Sequence, residues 1–310
     1  MSRIFFIKNK IINYSSLINL KKNIAKSTNS KIFCKENKLF QNYFYLSINN
    51  SKKNSNFFED KDFVSLIDGA PHIQNILFSA KEFVNAFKNE SFKNFLNKLN
   101  GGFVGFIYDK KKNITYTFRD RFGLKPLYIY NKNGLLVVSS QADFIRQYFN
   151  NKIKINYQYL LRYAYCNYKS IYGREETIYS DIQMQKISSI YTIKNNQIAK
   201  SIYWSLKKNI KTSNLTISDY KKKIQYIFEN MISNYVSINR GQKYAVALSG
   251  GMDSGLISGL LKKYFSAPDA VSLTYFENSD FNEEKLIKET VKKNIHKWKN
   301  FKLTPKTLLK

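Results

Sequence analysis

The sequence predicts two domains in tandem: an α+β domain built on antiparallel sheet, then an α/β domain with a parallel sheet. Three observations carry this. Between residues 63 and 138, short apolar strings alternate with turn residues in hairpin fashion. The stretch 80–99 places Phe83, Val84, Phe87, Phe92, Phe95 and Leu96 at helical spacing. From residue 244 an apolar string enters a Ser-Gly-Gly loop, a helical pattern follows, and strands and helices then alternate to residue 303.

Along the chain, residues 1–56 are rich in Lys, Asn and Ser and read as one or two weak strands joined by loops. Phe63–Ile67 reads as a strand ended by a turn at Asp68-Gly69, and Gly101-Gly102 ends the helix over 80–99. Residues 103–108 and 114–118 form strands around a polar turn, and 127–130 and 135–138 form a hairpin around Asn131–Gly134. A helix over 156–165 follows, then two strands flanking Asn195-Asn196, and Tyr203-Trp204 closes the segment. A long helix over about 219–238 starts after N-cap chemistry at Thr216 or Ser218, with Tyr220, Ile224, Tyr226, Ile227, Met231 and Tyr235 on its apolar side.

Tyr244–Leu248 is a short run of small and branched residues, the pattern of a buried parallel strand. It leads into Ser249-Gly-Gly-Met-Asp-Ser254 and a helical pattern through Tyr264. Glycines let backbone N–H groups turn into such a loop, and the helix start adds partial positive charge, so the arrangement suits phosphate. Ser249 and Ser254 can donate to phosphate oxygens. Asp253 repels a bare phosphate but suits a Mg²⁺ ion carrying one, or a cap on the helix. No Gly-Lys-Ser/Thr follows, so this is not the Walker loop. A plain Gly-Ser turn is the blander alternative, and five fixed residues in a strand–loop–helix setting weigh against it. A strand over 269–276, a helix over 283–294 and a strand over 299–303 complete a β-α-β-α-β order. Ligands of such sheets sit at the carboxyl ends of the strands.

Net charge is +29, which can signal a polyanion partner. Lysine supplies nearly all of it, with seven Arg, and the lysines are scattered. Nucleic-acid surfaces favour Arg for bidentate contacts, so nucleic acid is not the expected partner. No run of about 18 apolar residues suggests a membrane span. Two isolated cysteines, Cys34 and Cys166, fit a reducing, cytoplasmic setting. His72 and His296 read as solvated, non-catalytic histidines.

The Ser249–Ser254 loop matches the SGGxDS loop of N-type ATP pyrophosphatases. Upstream, Gly102–Asp109 resembles the GxFAFALYD strand of class II glutamine amidotransferases, and Arg119–Tyr128 (RDRFGLKPLY) nearly matches the RDRFGIKPLYY segment of asparagine synthetases. Val137–Asp143, Tyr203-Trp204 and the stretch from Phe276 to Glu284 extend the likeness. The chain thus resembles the glutamine-hydrolysing asparagine synthetase family over roughly residues 57–310, and only faintly over 1–56. The resemblance implies an N-terminal-nucleophile-type glutamine amidotransferase domain over 1–205 and the first part of an ATP-pyrophosphatase domain (adenine nucleotide alpha hydrolase-like) over 206–310. The family's second domain continues beyond three strands, so this domain is expected to be incomplete here: a fragment, a split product or a decayed one. The RDRFG segment is expected to be a structural turn.

Several family parts are altered. Ser2 stands where the family has its nucleophilic Cys after the initiator Met, and a hydroxyl is the weaker nucleophile. The Asn-Gly-Glu motif appears as Asp68-Gly69-Ala70, which sets a carboxylate against the developing oxyanion. Ala80 replaces the Asp that holds the glutamine amine, and the HRGPD segment has no match. A degraded, inactive glutaminase is expected. ATP and Mg²⁺ are the expected cofactors. Leu248, Ser249, Gly250, Gly251, Asp253, Ser254 and Ser272 are the candidate nucleotide contacts, with Asp253 toward the metal. The expected activity is an amide-forming ligase that adenylates aspartate or another carboxylate and passes it to ammonia or an amine. A β-lactam synthetase or lasso-peptide cyclase variant using an internal amine, a tRNA-modifying pyrophosphatase, and a non-catalytic remnant are the alternatives. A homodimer or a completing partner chain is the expected assembly.

Overall fold

The structure is a computed structural model that describes residues 3–8, 13–27, 32–35, 43–48, 56–89, 91–166, 175–206, 215–275 and 282–304. The chain divides into two compact units, Met1–Lys208 and Asn209–Lys310. In the first unit the order is β1 (Arg3–Lys8), α1 (Tyr14–Ser27), β2 (Ile32–Lys35), β3 (Tyr43–Ile48), β4 (Phe57–Glu59), β5 (Phe63–Gly69), β6 (His72–Ile73), β7 (Ile76–Leu77), α2 (Ala80–Asn89), α3 (Phe92–Lys98), β8 (Phe103–Asp109), β9 (Ile114–Arg119), β10 (Tyr128–Lys132), β11 (Leu135–Ser139), α4 (Ala142–Tyr148), α5 (Tyr157–Tyr165), β12 (Gln183–Met184), β13 (Ser189–Lys194) and β14 (Gln197–Ile202).

These strands form two six-stranded sheets, ordered β12-β10-β11-β1-β3-β2 and β14-β13-β9-β8-β5-β4, with a small β6-β7 hairpin beside them. The two large sheets face each other. Ile4, Phe6, Leu127, Ile129 and Val138 of the first meet Val64, Leu66, Val104, Phe106 and Tyr191 of the second in one apolar layer. The Phe6 and Phe106 ring centroids lie 4.3 Å apart. Because side chains alternate along a strand, the other face of each sheet needs its own cover. On the first sheet Phe5, Ile7 and Val137 pack under Leu17, Leu20 and Ile24 of α1 and Phe144 and Ile145 of α4. On the second, Ile67, Phe103, Ile107 and Phe118 pack under Phe83, Val84, Phe95 and Leu96 of α2 and α3. The result is a four-layer helix–sheet–sheet–helix sandwich.

Several expectations need correction. Tyr14–Ser27 is a helix, not a loop, since Leu17, Leu20 and Ile24 repeat at i, i+3 and i+7. The helix expected over 80–99 is two helices, Ala80–Asn89 and Phe92–Lys98, with Ser91 at the N-cap position of the second. Asp68-Gly69 does not turn the chain: β5 runs through both residues, which pair with Val104 and Phe103 of β8. His72 sits in a short strand with its Nδ1 3.0 Å from the Ala70 carbonyl oxygen, not in an open loop. The two hairpins around Asn133-Gly134 and Asn195-Asn196 are as expected, with positive φ at all four residues.

The second unit has α6 (Ile217–Ile238), β15 (Ala245–Ala247), α7 (Met252–Tyr264), β16 (Asp269–Tyr275), α8 (Glu284–Asn294) and β17 (Trp298–Leu303). Thr216 and Asp219 close a capping box at the start of α6. The sheet is parallel, in order β15-β16-β17. One face packs on helices: Tyr244 and Val246 meet Ile232, Leu260 and Leu261, while Leu248 and Ala270 meet Ile287. On the other face Val271, Leu273, Tyr275 and Phe301 are exposed. The apolar side expected of α6 is also corrected. Tyr220, Ile224, Tyr226, Ile227, Met231 and Tyr235 are exposed, and Ile232 is the residue it buries.

One polar cluster ties the two large sheets at their edge. Glu59 of β4 accepts hydrogen bonds from Tyr43 Oη (2.8 Å) and Tyr45 Oη (3.0 Å) of β3 and from Lys110 Nζ (2.9 Å). Burial pushes its carboxyl up, while Lys110 and the two tyrosine hydroxyls pull it down, and the net direction is below the ordinary glutamate value. A depressed carboxylate contributes stability above its unfolded value of about 4.3 and loses it as pH falls through the folded value. Glu59→Gln should therefore lower stability by about 1–2 kcal/mol at pH 7. In thermal melts the gap from wild type should narrow below about pH 4, and a gap that stays constant down to pH 2.5 would refute the assignment.

Candidate functional site

Strand β15 delivers the chain into Ser249-Gly250-Gly251, and α7 leaves from Met252, at the carboxyl end of the parallel sheet. The loop holds itself in shape. Ser249 Oγ and Ser254 Oγ are 3.2 Å apart, the Ser249 N–H points to Ser254 Oγ at 3.3 Å, and Ser254 Oγ donates to the Gly251 carbonyl at 3.1 Å. Gly250 has φ +93°, a conformation that L side chains rarely adopt. The N-cap of α7 is Gly251, and no side chain caps the first turn. The first N–H groups of α7 are left for an incoming acceptor.

Of the candidate nucleotide residues, Ser249 and Asp253 are exposed, and Gly250, Gly251 and Ser254 form the loop wall. Leu248 differs: its side chain is buried on Ile287 and its N–H bonds the Val271 carbonyl at 2.9 Å, so it anchors the loop. Ser272 lies beside Leu248 in the adjacent strand, buried, with its hydroxyl taken by the Trp298 indole N–H at 3.0 Å. Asp253 sits in the first turn of α7. The sequence reading passed over Glu283, the N-cap residue of α8. Its Cβ lies 2.8 Å, and its Oε2 3.3 Å, from where a Gly250 Cβ would stand. Only the fold brings these residues together, since 33 positions separate them.

In the first unit, Asp68 and Gly69 end β5. Asp68 is 2% exposed and its Oδ1 pairs with Lys125 Nζ at 2.9 Å. A Cβ at Gly69 would overlap the Gly102 carbonyl, and its φ of +124° excludes most side chains. Ala80 opens α2, wholly buried beneath the second sheet. Ser2 lies outside the described residues. Lys125 belongs to the RDRFGLKPLY segment, and only the fold brings it to Asp68.

That segment is structural, as expected. Asp120 accepts from the N–H groups of Phe122, Leu124 and Lys125 at 2.9–3.1 Å. Arg119, buried, donates to the carbonyls of Lys125 (2.7 Å), Gln185 (2.6 Å) and Gly123 (3.1 Å). Burial holds its guanidinium below the ordinary arginine value, partly offset by Asp120. Between them the two residues clamp the loop that presents Lys125 to Asp68.

Residues 79–204 match the family model of a glutamine amidotransferase domain. The facing antiparallel sheets between helix layers are the N-terminal-nucleophile type of fold expected for such a domain. Among curated proteins the likeness is to glutamine-hydrolysing asparagine synthetases. Asparagine synthetase 1 of Bacillus subtilis is 26% identical over 197 residues, 63% of this chain and 29% of that protein. A provisionally named asparagine synthetase 2 of Methanocaldococcus jannaschii is 28% identical over 174 residues, 54% of this chain and 32% of that protein. The matched region spans about a third of the length of these relatives. A solved glutamine phosphoribosylpyrophosphate amidotransferase of B. subtilis, complexed with ADP and GMP, aligns at TM-score 0.43 and 9% identity over 97% of this chain and 81% of that one, too weakly to carry an argument.

Two substitutions check the geometry. Gly250→Ala should force Glu283 aside and strain the backbone, costing about 1–3 kcal/mol in denaturant unfolding of the second unit. A cost below 0.5 kcal/mol would mean the loop takes another shape. Asp68→Asn keeps the size but leaves Lys125 beside a neutral amide, and should cost about 1–3 kcal/mol of global stability. A neutral effect would show that the ion pair contributes nothing.

Proposed function

We propose that the chain is the nucleotide-binding and amidotransferase-like part of an ATP-dependent, amide-forming ligase whose glutaminase half is inactive. The observation that carries the ligase reading is the Ser249–Ser254 loop: glycine-bent, held by paired serine hydroxyls, with an uncapped helix start at the carboxyl end of a parallel sheet. Such a loop grips a pyrophosphate through N–H and hydroxyl donors rather than through a lysine. The donors near it suit a hard cation, since the carboxylates of Asp253 and Glu283 are oxygen ligands of the kind Mg²⁺ takes. Bound there, Mg²⁺ would offset charge building on the phosphates. The chain's own residues would hold and orient the β- and γ-phosphates of ATP while a carboxylate substrate, aspartate or another, attacks the α-phosphate, breaking the α–β anhydride bond to give an acyl-adenylate and release pyrophosphate. AMP would then leave as ammonia or an amine forms the amide.

The first unit favours an amine that does not come from glutamine. Asp68 occupies the motif's amide position as a carboxylate already paired with Lys125, and Ala80 offers no group to hold a substrate amine. The related variant that uses an internal amine fits this better than glutamine-fed asparagine synthesis. The exposed apolar face of β16 and β17 favours a further polypeptide layer working with this unit.

Binding of Mg·ATP and pyrophosphate by calorimetry tests the loop. Ser254→Ala should weaken pyrophosphate binding roughly tenfold by removing a hydroxyl donor and loosening the Ser249 contact. Glutamine hydrolysis should be undetectable in the same protein. Unchanged pyrophosphate affinity in Ser254→Ala, or measurable glutaminase turnover, would overturn the corresponding half of the reading.

A further inference from the structure

Glu283 is held against the loop by the packing of its own helix. Ile287, one turn on, is buried against Leu248 and Ala270, and its N–H bonds the Glu283 carbonyl at 3.1 Å. At the far end of α8, Asn294 Nδ2 donates to Ser258 Oγ of α7 at 3.1 Å. These contacts fix the start of α8 so that the Glu283 Cβ fills the space a residue-250 side chain would need. Among the described residues its carboxylate has no ion-pair or hydrogen-bond partner. Glu284, the next residue, is by contrast paired with Lys288 at 2.7 Å. An unpaired carboxylate therefore stands within a Debye length of about 8 Å of the loop backbone.

A negative group there opposes any bare polyphosphate and welcomes a cation carried by one. We propose that Glu283 is a positioning residue that makes the loop's grip on pyrophosphate conditional on a divalent cation. The inference rests on the reading of the loop as a pyrophosphate site. With Glu283 in place, the free anion meets an exposed carboxylate beside the loop, while the magnesium complex presents positive charge to it.

The test is calorimetric titration of the full chain with inorganic pyrophosphate, with Mg²⁺ and with chelator, for wild type, Glu283→Gln, Glu283→Ala and Glu284→Gln. Both Glu283 variants should bind metal-free pyrophosphate roughly tenfold more tightly than wild type, and the gain from adding Mg²⁺ should shrink accordingly. Glu284→Gln removes a charge from the same helix end and should behave as wild type. A purely structural role for Glu283 would change affinity equally with and without Mg²⁺, and that outcome overturns the proposal. So does the same Mg²⁺ dependence in wild type and both Glu283 variants. If no protein binds pyrophosphate under either condition, the loop reading itself falls and the inference with it.

Discussion

The first unit depends on β1, a six-residue strand buried on both faces. Ile4 and Phe6 enter the layer between the sheets, and Phe5 and Ile7 enter the layer beneath α1 and α4, all at 0% exposure. It pairs with β11 on one side and β3 on the other, so it joins the N-terminal strands to the late hairpin. The Ser139 hydroxyl donates to the Ile4 carbonyl at 3.0 Å and the Ile4 N–H bonds Ser140 Oγ at 3.1 Å, which pins the start of the strand. Truncating any one of its four core side chains removes contacts from a close-packed interior, where even one lost methylene is felt.

The second constraint is the Arg119–Asp120 clamp. A tight loop must satisfy its own backbone groups, and here two buried side chains do it: a carboxylate for the N–H groups and a guanidinium for the carbonyls. The same loop delivers Lys125 to Asp68. The clamp thus places a lysine against a carboxylate that is 2% exposed.

The second unit follows a different logic. Its loop is held from within by Ser249 and Ser254 and from without by α8, whose start fits because residue 250 has no side chain. The sheet is covered on one face alone among the described residues, with Leu273 61% exposed on the other. Parallel sheets are ordinarily buried on both sides, so this face and the exposed apolar side of α6 are apolar surfaces without a cover among the described residues.

Local chemistry was legible in the amino-acid sequence. The Asn-Gly and Asn-Asn hairpins, the cap at Thr216, the β-α-β-α-β order and the glycine loop all depend on neighbours a few residues away. The helix Tyr14–Ser27 is hard to read because, among its described side chains, the apolar ones in the core are Leu17, Leu20 and Ile24, set among lysines and asparagines that carry no periodic signal. The apolar side of α6 was misread because its aromatic and aliphatic residues outnumber those it buries, and composition does not say which face meets a neighbour. What the tertiary structure alone decided is pairing across distance: β1 between β3 and β11, Lys125 on Asp68, and Glu283 over Gly250. Such contacts arise when sheets and helices pack, and a residue's partner 30 or more positions away leaves no periodic or capping signature in the chain itself.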